Sequence, residues 1–485
     1  MPGVPGKKLG QKVDIDFTLR KVFQRDSFRP VQREVVTAAL EGHDVFLQAA
    51  TGFGKSLCFQ LPAVVDFGIT IVISPLLALM NNQINSLRAA NIRVETINST
   101  IPVSTKTAIL NDLKSGHPLT RLLYVTPEYC TLDYFRKHLR TVYEQRELAR
   151  IAIDEAHCIS EWGHDFRPSF KELKLFKKEF PDVPMICCTA TATEEVRDDI
   201  ITTLGLDESK LKKFTMTTSR PNLHYEVRFK SDEEDHFDDF VLWLRTVHKR
   251  RAKSAARSQE LSQRNERARN VPGIIYTWYR KDTEALAQRL QDNGIGAKAY
   301  HAGMSTEAKD DHLDGWVKNK EGYDVIVATT AFGMGIDKEN VRFVVHWQMP
   351  KSFEGYYQEA GRAGRDGKAS VCMLYYSRED RDRAHASYVR DAEKMQNAKG
   401  ASRQACINRG KSLQALITYC EGVTTCRHRS VAKYFGEEAV PPCEWACDWH
   451  KDAKKLAKRK DLDLQSEEWI ATQRQMGTYN QDEYD

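Results

Sequence analysis

Ile151-Ala152-Ile153-Asp154-Glu155-Ala156-His157 decides how the chain reads. A short apolar run that stops on two adjacent carboxylates is a buried strand with acid at its C-terminal tip. One carboxylate there can hold Mg²⁺ through hard oxygen, and the next can orient a water. Upstream, Ala49-Ala50-Thr51-Gly52-Phe53-Gly54-Lys55-Ser56 follows a strand-like Asp44–Gln48 and precedes apolar residues at helical spacing. Strand, Gly-rich turn and helix in that order make a phosphate-binding loop. The strict pattern has Gly where Ala49 stands. Gly52 and Gly54 still let backbone N–H groups close around phosphate oxygens at a helix N-terminus. Thr51 belongs to the same loop, Lys55 would neutralise the outer phosphates, and Ser56 would join Asp154 on Mg²⁺. The two stretches together predict hydrolysis of a nucleoside triphosphate.

The surrounding pattern predicts the fold. Ile69–Ser74 runs apolar up to Pro75, Leu122–Thr126 does so up to Pro127, and Met185–Cys188 is a third such run. Continuous apolar runs separated by helical patterns suit central strands of a parallel sheet, so the chain up to about residue 215 reads as a doubly wound α/β domain. The pattern restarts at Gly273–Tyr276, Ala297–Tyr300, Asp324–Ala328 and Phe343–His346, after an irregular connector at Ser219–Asn222. From about residue 379 strands vanish and charged helices lead to a cysteine cluster. No internal repeat is evident beyond the two similar lobes.

Composition narrows the class. The 485 residues suffice for about three domains, and 41% hydrophobic with 29% charged residues is ordinary for a globular protein. No run of about 18 apolar residues marks a membrane span, and Met1–Leu9 lacks the apolar core of a secretory signal, so an intracellular protein is expected. The net charge of +5 does not by itself announce nucleic acid. The basic stretch 248–270 reads as a solvated, partly disordered insertion, with DNA contact or a nuclear import signal as the other readings. Of 11 cysteines, Cys58, Cys130, Cys158, Cys187, Cys188 and Cys372 sit in apolar or motif surroundings and read as reduced core thiols. The others lie between Cys406 and Cys447, where an intracellular cluster favours metal over disulfides.

With these motifs in view, the chain resembles the RecQ-family DNA helicases of superfamily 2 from about Phe28 to His450. The resemblance implies two tandem RecA-like lobes and a small helical zinc-binding subdomain, with ATP, Mg²⁺ and Zn²⁺ as cofactors and DNA, single-stranded or tailed duplex, as partner. It divides the chain into an N-terminal extension (1–27), an ATP-binding lobe (28–215), a second lobe (216–378), the zinc-binding subdomain (379–455) and a polar tail (456–485). Phe28-Arg29-Pro30-Val31-Gln32 matches the family's adenine-reading segment, which assigns Arg29 and Gln32 to the base. Gln24 and Phe53 stand where the family usually has Gly. His157–Pro168 matches an aromatic-rich loop that senses single-stranded DNA. Within it Trp162 and Phe166 offer stacking faces and Arg167 a phosphate partner, while Glu161 replaces the usual Gln. Thr189-Ala190-Thr191 matches a motif that couples hydrolysis to lobe movement.

In the second lobe Tyr300–Met304 and Ala328–Lys338 match the family, the latter placing Asp337 among the nucleotide-site residues. In Gln358–Gly367, Gln358 joins the catalytic set, and Arg362 and Arg365, three apart on one helix face, would reach across the cleft as arginine fingers. Cys426-Arg427, Tyr434-Phe435-Gly436-Glu437, Cys443, Cys447 and His450 match the zinc module. His450 stands where the family has Cys, and Cys443 to Cys447 is one residue longer. Cys₃His remains a closed tetrahedral donor set, with Cys406 and Cys420 as competing ligands. The resemblance implies 3′→5′ polarity, a role in repair and recombination, and a nuclear location in a eukaryote, cytoplasmic otherwise. The residues after His450 are too few for a winged-helix wedge, which keeps two alternatives open: a translocase without efficient unwinding, and a non-motor DNA-binding module with impaired ATPase.

Overall fold

The computed structural model describes residues 14–474 apart from 161–166, 231–234, 254, 264–265, 268–270, 334–335, 337, 395–400, 441–442 and 444–446. Two sheets organise them. The first holds β1 (Val45–Gln48), β2 (Ile69–Ile73), β3 (Val94–Ile97), β4 (Leu122–Val125), β5 (Leu148–Asp154), β6 (Met185–Thr189) and β7 (Lys212–Thr215), in the spatial order β3-β4-β2-β5-β6-β1-β7. The second holds β8 (Leu223–Phe229), β9 (Gly273–Tyr276), β10 (Ala297–Tyr300), β11 (Val325–Ala328), β12 (Phe343–His346) and β13 (Ser370–Tyr376), in the order β10-β11-β9-β12-β13-β8. Every ladder is parallel. Parallel neighbours need crossovers, so helices cover both faces and the central strands lose polar alternation. In β2 the side chains of Ile71 and Ile73 enter one core while Val72 enters the other, as the two-residue period of a strand requires.

Topology brings the two key stretches together. Asp154 at the end of β5 is level with Cys188 of β6, and Cys188 is level with Leu47 of β1. The acid pair and the loop that leaves β1 therefore emerge side by side at the carboxyl edge of the sheet.

The strands expected from the apolar runs are present, and four more complete the sheets. β3 and β7 are short edges, and β7 is largely exposed. β8 alternates buried and half-buried residues, and β13 is a nearly continuous buried run. The described residues of the basic stretch are mostly exposed, as a solvated segment should be, but it is largely helical where described and two of its side chains are buried. Its start is the end of the helix Phe237–Ala252, which buries Phe237, Phe240, Val241 and Leu244. Arg251 is buried there against Glu266 at 3.1 Å, and Leu261 is buried on the following helix Ala255–Gln263. The pairing of Arg251 neutralises the charge that would otherwise keep this turn in water.

After β13 come the helices Arg378–Lys394, Ala401–Glu421, Arg427–Tyr434 and Asp448–Arg474. The last two dock on the free edge of β8. Asp448 accepts from Val227 N–H at 2.9 Å, His428 Nε2 lies 3.0 Å from the Leu223 carbonyl, and Cys447 bridges to Tyr225. Among the described residues no helix is long and apolar enough to cross a membrane.

Candidate active site and metal centre

The phosphate-binding loop turns on Gly52 (φ +84°) and Gly54 (φ +90°), left-handed values that L side chains adopt at a cost. The helix Leu57–Val65 starts directly behind it, so free N–H groups and the positive helix end face the loop. Lys55 Nζ donates to the carbonyls of Ala49 (2.9 Å) and Ala50 (3.5 Å). Burial lowers the pKa of this ammonium, and the charges of Glu155 and Asp154 oppose the shift.

Asp154 is almost fully buried. Its Oδ2 accepts from Gln83 Nε2 at 3.0 Å and its Oδ1 from the Glu155 N–H at 3.1 Å. Burial, then the Glu155 charge, pushes its pKa up. Glu155 itself has φ +54°, a strained conformation costing about 1–3 kcal/mol that persists where surrounding structure imposes it. Its Oε2 lies 3.4 Å from His157 Nδ1, which lies 3.1 Å from Thr189 Oγ1. Thr191 N–H donates to that same oxygen (3.2 Å), and Gln358 Nε2 donates to Thr191 Oγ1 (3.1 Å). A polar path thus runs from the acid pair into the second lobe.

Arg29 and Gln32 clamp the loop from the N-terminal side. Gln32 Oε1 accepts from Arg29 N–H (2.9 Å), Gln32 Nε2 donates to the carbonyls of Phe53 (3.1 Å) and Gly54 (3.2 Å), and the Arg29 guanidinium donates to the Gly52 carbonyl.

Arg362 and Arg365 do not share a helix face as expected. The helix Phe353–Ala360, capped by Ser352 Oγ accepting from Gly355 N–H at 3.0 Å, ends at Gly361. Both arginines sit in the turn beyond, where Gly364 (φ +55°) keeps the chain from continuing as helix. They diverge. Arg365 lies over the phosphate loop: a Cβ built on Gly52 would be 3.1 Å from its Cγ, and its Nη1 donates to the Ile336 carbonyl at 2.7 Å. Arg362 is buried beside Tyr276, its Nε without a hydrogen-bond partner. The sequence reading missed Arg220, treated only as part of a connector. Its guanidinium donates to the Thr51 carbonyl at 2.7 Å and to three carbonyls of the arginine-bearing turn.

Of the residues expected at DNA, Arg167 donates to the Pro75 carbonyl at 3.0 Å. Trp162, Phe166, Glu161 and the nucleotide-site candidate Asp337 lie outside the described residues. Lys338 donates to the carbonyls of Trp316 (2.9 Å) and Val317 (3.0 Å) at a helix end, and burial lowers its pKa to about 8.

The ligand atoms of Cys426, Cys443, Cys447 and His450 all lie within 4.8 Å of one another. Cys426 and Cys447 sulfurs are 3.9 Å apart, and Cys447 Sγ is 3.2 Å from His450 Nδ1. A tetrahedral zinc with bonds of about 2.0–2.3 Å has edges of about 3.3–3.8 Å, so these atoms fit the ion and are too far apart for a disulfide. Cys406 and Cys420 are buried outside this group, which removes them as competitors. Each of two ligands adjoins one half of a buried ion pair. Arg427, next to Cys426, donates to Asp448, next to Cys447, through Nε (2.9 Å) and Nη2 (3.0 Å).

The chain matches the DEAD/DEAH box helicase family over residues 29–199 and the helicase conserved C-terminal domain over 253–367. Over 382–451, the stretch that holds the four-ligand cluster, it matches the RecQ zinc-binding module. The chain belongs to the RecQ family. ATP-dependent DNA helicase Q5 of Mus musculus is 40% identical over 463 residues, covering 94% of this chain and 45% of that protein. ATP-dependent helicase SGS1 of Saccharomyces cerevisiae is 41% identical over 442 residues, covering 90% of this chain and 28% of that protein. The chain therefore spans less than half the length of these RecQ relatives. The crystal structure of DUF1998 helicase MrfA bound to DNA and AMPPNP shares the fold, with a TM-score of 0.59 at 16% identity, covering 80% of this chain and 54% of that one. The RecQ module and the fit of the four ligand atoms support Zn²⁺ as a cofactor, with this cluster as its candidate site.

Proposed function

We propose that the chain is an ATP- and Mg²⁺-dependent DNA helicase that travels 3′→5′ on single-stranded DNA and opens tailed duplexes, serving repair and recombination, in the nucleus where the cell has one. The observation that carries this reading is the contact between lobes at the phosphate loop: Arg365 seated on Gly52, with Gln358 bonded to Thr191 beside it.

In this reading the triphosphate lies at the N-terminus of the helix Leu57–Val65, and Lys55 turns from the loop carbonyls to the outer phosphates. Ser56 and Asp154 hold Mg²⁺, which when bound neutralises phosphate charge. Glu155 orients the attacking water, with His157 fixing its carboxylate. Arg365 and Arg362 complete the site from the second lobe, an effect worth about 10³–10⁵ in rate in comparable enzymes. Thr51, Gly52, Gly54 and Asp337 line the nucleotide, and Arg29 and Gln32 meet the base. Because the arginines lie on one lobe and the loop on the other, closure depends on the γ-phosphate, and DNA held across both lobes is pulled in step. Trp162, Phe166 and Arg167 link that grip to hydrolysis, each stacked base contributing about 1–3 kcal/mol.

The test is ATP hydrolysis with and without single-stranded DNA, followed by strand displacement on a 3′-tailed duplex. Lys55→Ala should abolish turnover, and appreciable residual hydrolysis would place the ATP site elsewhere. Hydrolysis without strand displacement would leave a translocase, and no DNA stimulation would leave a binding module.

A further inference from the structure

The connector between the sheets is held in a way its sequence does not announce. Arg220 spends its guanidinium on four main-chain carbonyls. Nη1 donates to Thr51 (2.7 Å) and Gly361 (3.3 Å), and Nη2 donates to Ala363 (3.0 Å) and Gly364 (2.8 Å). Three of these acceptors belong to the turn that carries Arg362 and Arg365, and the fourth is the phosphate loop across the cleft. Asn222 Nδ2 adds ties to Gly364 and Lys368, both 2.9 Å.

The connector's own backbone is pinned from the same side. The Glu437 carboxylate accepts the Thr217 hydroxyl (2.7 Å) and the Thr218 N–H, and Tyr357 on the arginine-bearing helix donates to the Thr218 carbonyl (2.9 Å). Arg220 therefore moves with the second lobe and the zinc-binding region. Of its four bonds only the one to Thr51 crosses to the first lobe; the other three lie within the second.

We propose that Arg220 is a positioning residue: its guanidinium fixes the turn bearing Arg362 and Arg365 and docks on the Thr51 carbonyl, so that the arginines are presented to the triphosphate only when the lobes are latched. The proposal rests on the ATPase reading above. A planar fork can serve carbonyls on two sides at once, whereas a lysine ammonium offers its protons from one atom.

The experiment compares Arg220→Lys, Arg220→Gln and Asn222→Ala with the unaltered full chain. Readouts are kcat and KM for DNA-stimulated ATP hydrolysis, affinity for a fluorescent ATP analogue, melting temperature, zinc content, and closure reported by a dye pair on the two lobes with a non-hydrolysable analogue. Arg220→Lys should lower kcat roughly 10- to 100-fold, the worth of one charge-assisted hydrogen bond. It should lower analogue affinity by a much smaller factor than kcat, because the contacts of the phosphate loop itself are kept and only those of Arg362 and Arg365 are lost. Its closure signal should stay near the nucleotide-free value at unchanged melting temperature and zinc content. Arg220→Gln should behave alike or worse, and Asn222→Ala should fall between.

Wild-type kcat in Arg220→Lys overturns the proposal. So does a loss confined to KM, which would make Arg220 a nucleotide ligand, and so does a loss that tracks melting temperature, which would make it a structural staple. If the unaltered chain shows no DNA-stimulated hydrolysis, the motor reading fails by itself. The closure signal then still decides, since Arg220→Lys closing like wild type would refute the latch.

Discussion

Asp448→Asn should open the zinc-binding region while leaving the rest of the chain folded. Arg427 is only 1% exposed, and its charge is matched by Asp448 through Nε at 2.9 Å and Nη2 at 3.0 Å. Removing one partner of a buried pair costs about 3–5 kcal/mol, because the other charge is left uncompensated. Asparagine keeps one oxygen for Arg427 or for the Val227 N–H, so the lower end, about 3 kcal/mol, is the expected cost. At 1.4 kcal/mol per decade that is about a hundredfold in the local opening equilibrium. Since Cys426 and Cys447 adjoin the two partners in sequence, opening must spread the metal ligands. Zinc loss to a chromophoric chelator should therefore quicken by a comparable factor, and the amides of β8 should lose hydrogen-exchange protection. A double change to Arg427→Met and Asp448→Leu should recover much of the loss, as apolar replacements of buried pairs often do. Unchanged β8 protection and chelation rate in Asp448→Asn would refute the argument that this pair clamps the module.

Other outcomes follow from the same geometry. Gly52→Ala places a Cβ at φ +84° and 3.1 Å from Arg365 Cγ, so ATP turnover should fall at least tenfold, from strain of about 1–2 kcal/mol plus displacement of the arginine. Wild-type turnover would deny that the two touch. Asp154 must be ionised to ligate Mg²⁺, and burial with the Glu155 charge raises its pKa. The acid limb of kcat/KM should therefore lie above the ordinary carboxylate range at limiting Mg²⁺ and move to lower pH as Mg²⁺ rises, while a limb indifferent to Mg²⁺ would exclude Asp154 as ligand. A raised carboxyl pKa also means the ionised form opposes folding above that pKa, so Asp154→Asn should melt higher than wild type at pH 7 by calorimetry. His450→Cys should retain zinc by elemental analysis and His450→Ala should release it to chelator faster. Equal retention would remove His450 from the ligand set.

Much of the fold was legible because buried parallel strands write continuous apolar runs. Ile69–Ile73 and Leu122–Val125 needed only their prolines to mark the ends. β8 alternates apolar and polar residues from Leu223 to Phe229, the period of a half-buried strand, so the strand itself was legible; its cover by helices more than 200 residues away was not. In β13 a run of large apolar residues does not distinguish strand from helix by periodicity alone. At the site, Lys55, Asp154 and Glu155 were readable because their chemistry demands a local spacing. The arginine pair was read as helical, since a three-residue spacing suits a helix, but Gly361 and Gly364 made the segment a turn. Glu437 was visible only as part of the zinc-module match and Arg220 only as part of a connector; their tie to the site was not legible, because their partners are main-chain groups and connector residues remote in sequence.

The seat of the zinc-binding region on β8 has a further consequence. β8 is the last strand of its sheet, and a bare outer strand presents unpaired N–H and C=O groups that recruit strands from other molecules. Here the Asp448 carboxylate takes the Val227 N–H and the His428 ring faces the Leu223 carbonyl, so side chains occupy the positions a stranger's backbone would fill. Stripping the metal would therefore make the protein prone to self-association through this margin before it lost any catalytic group, and its yield in solution would track zinc supply.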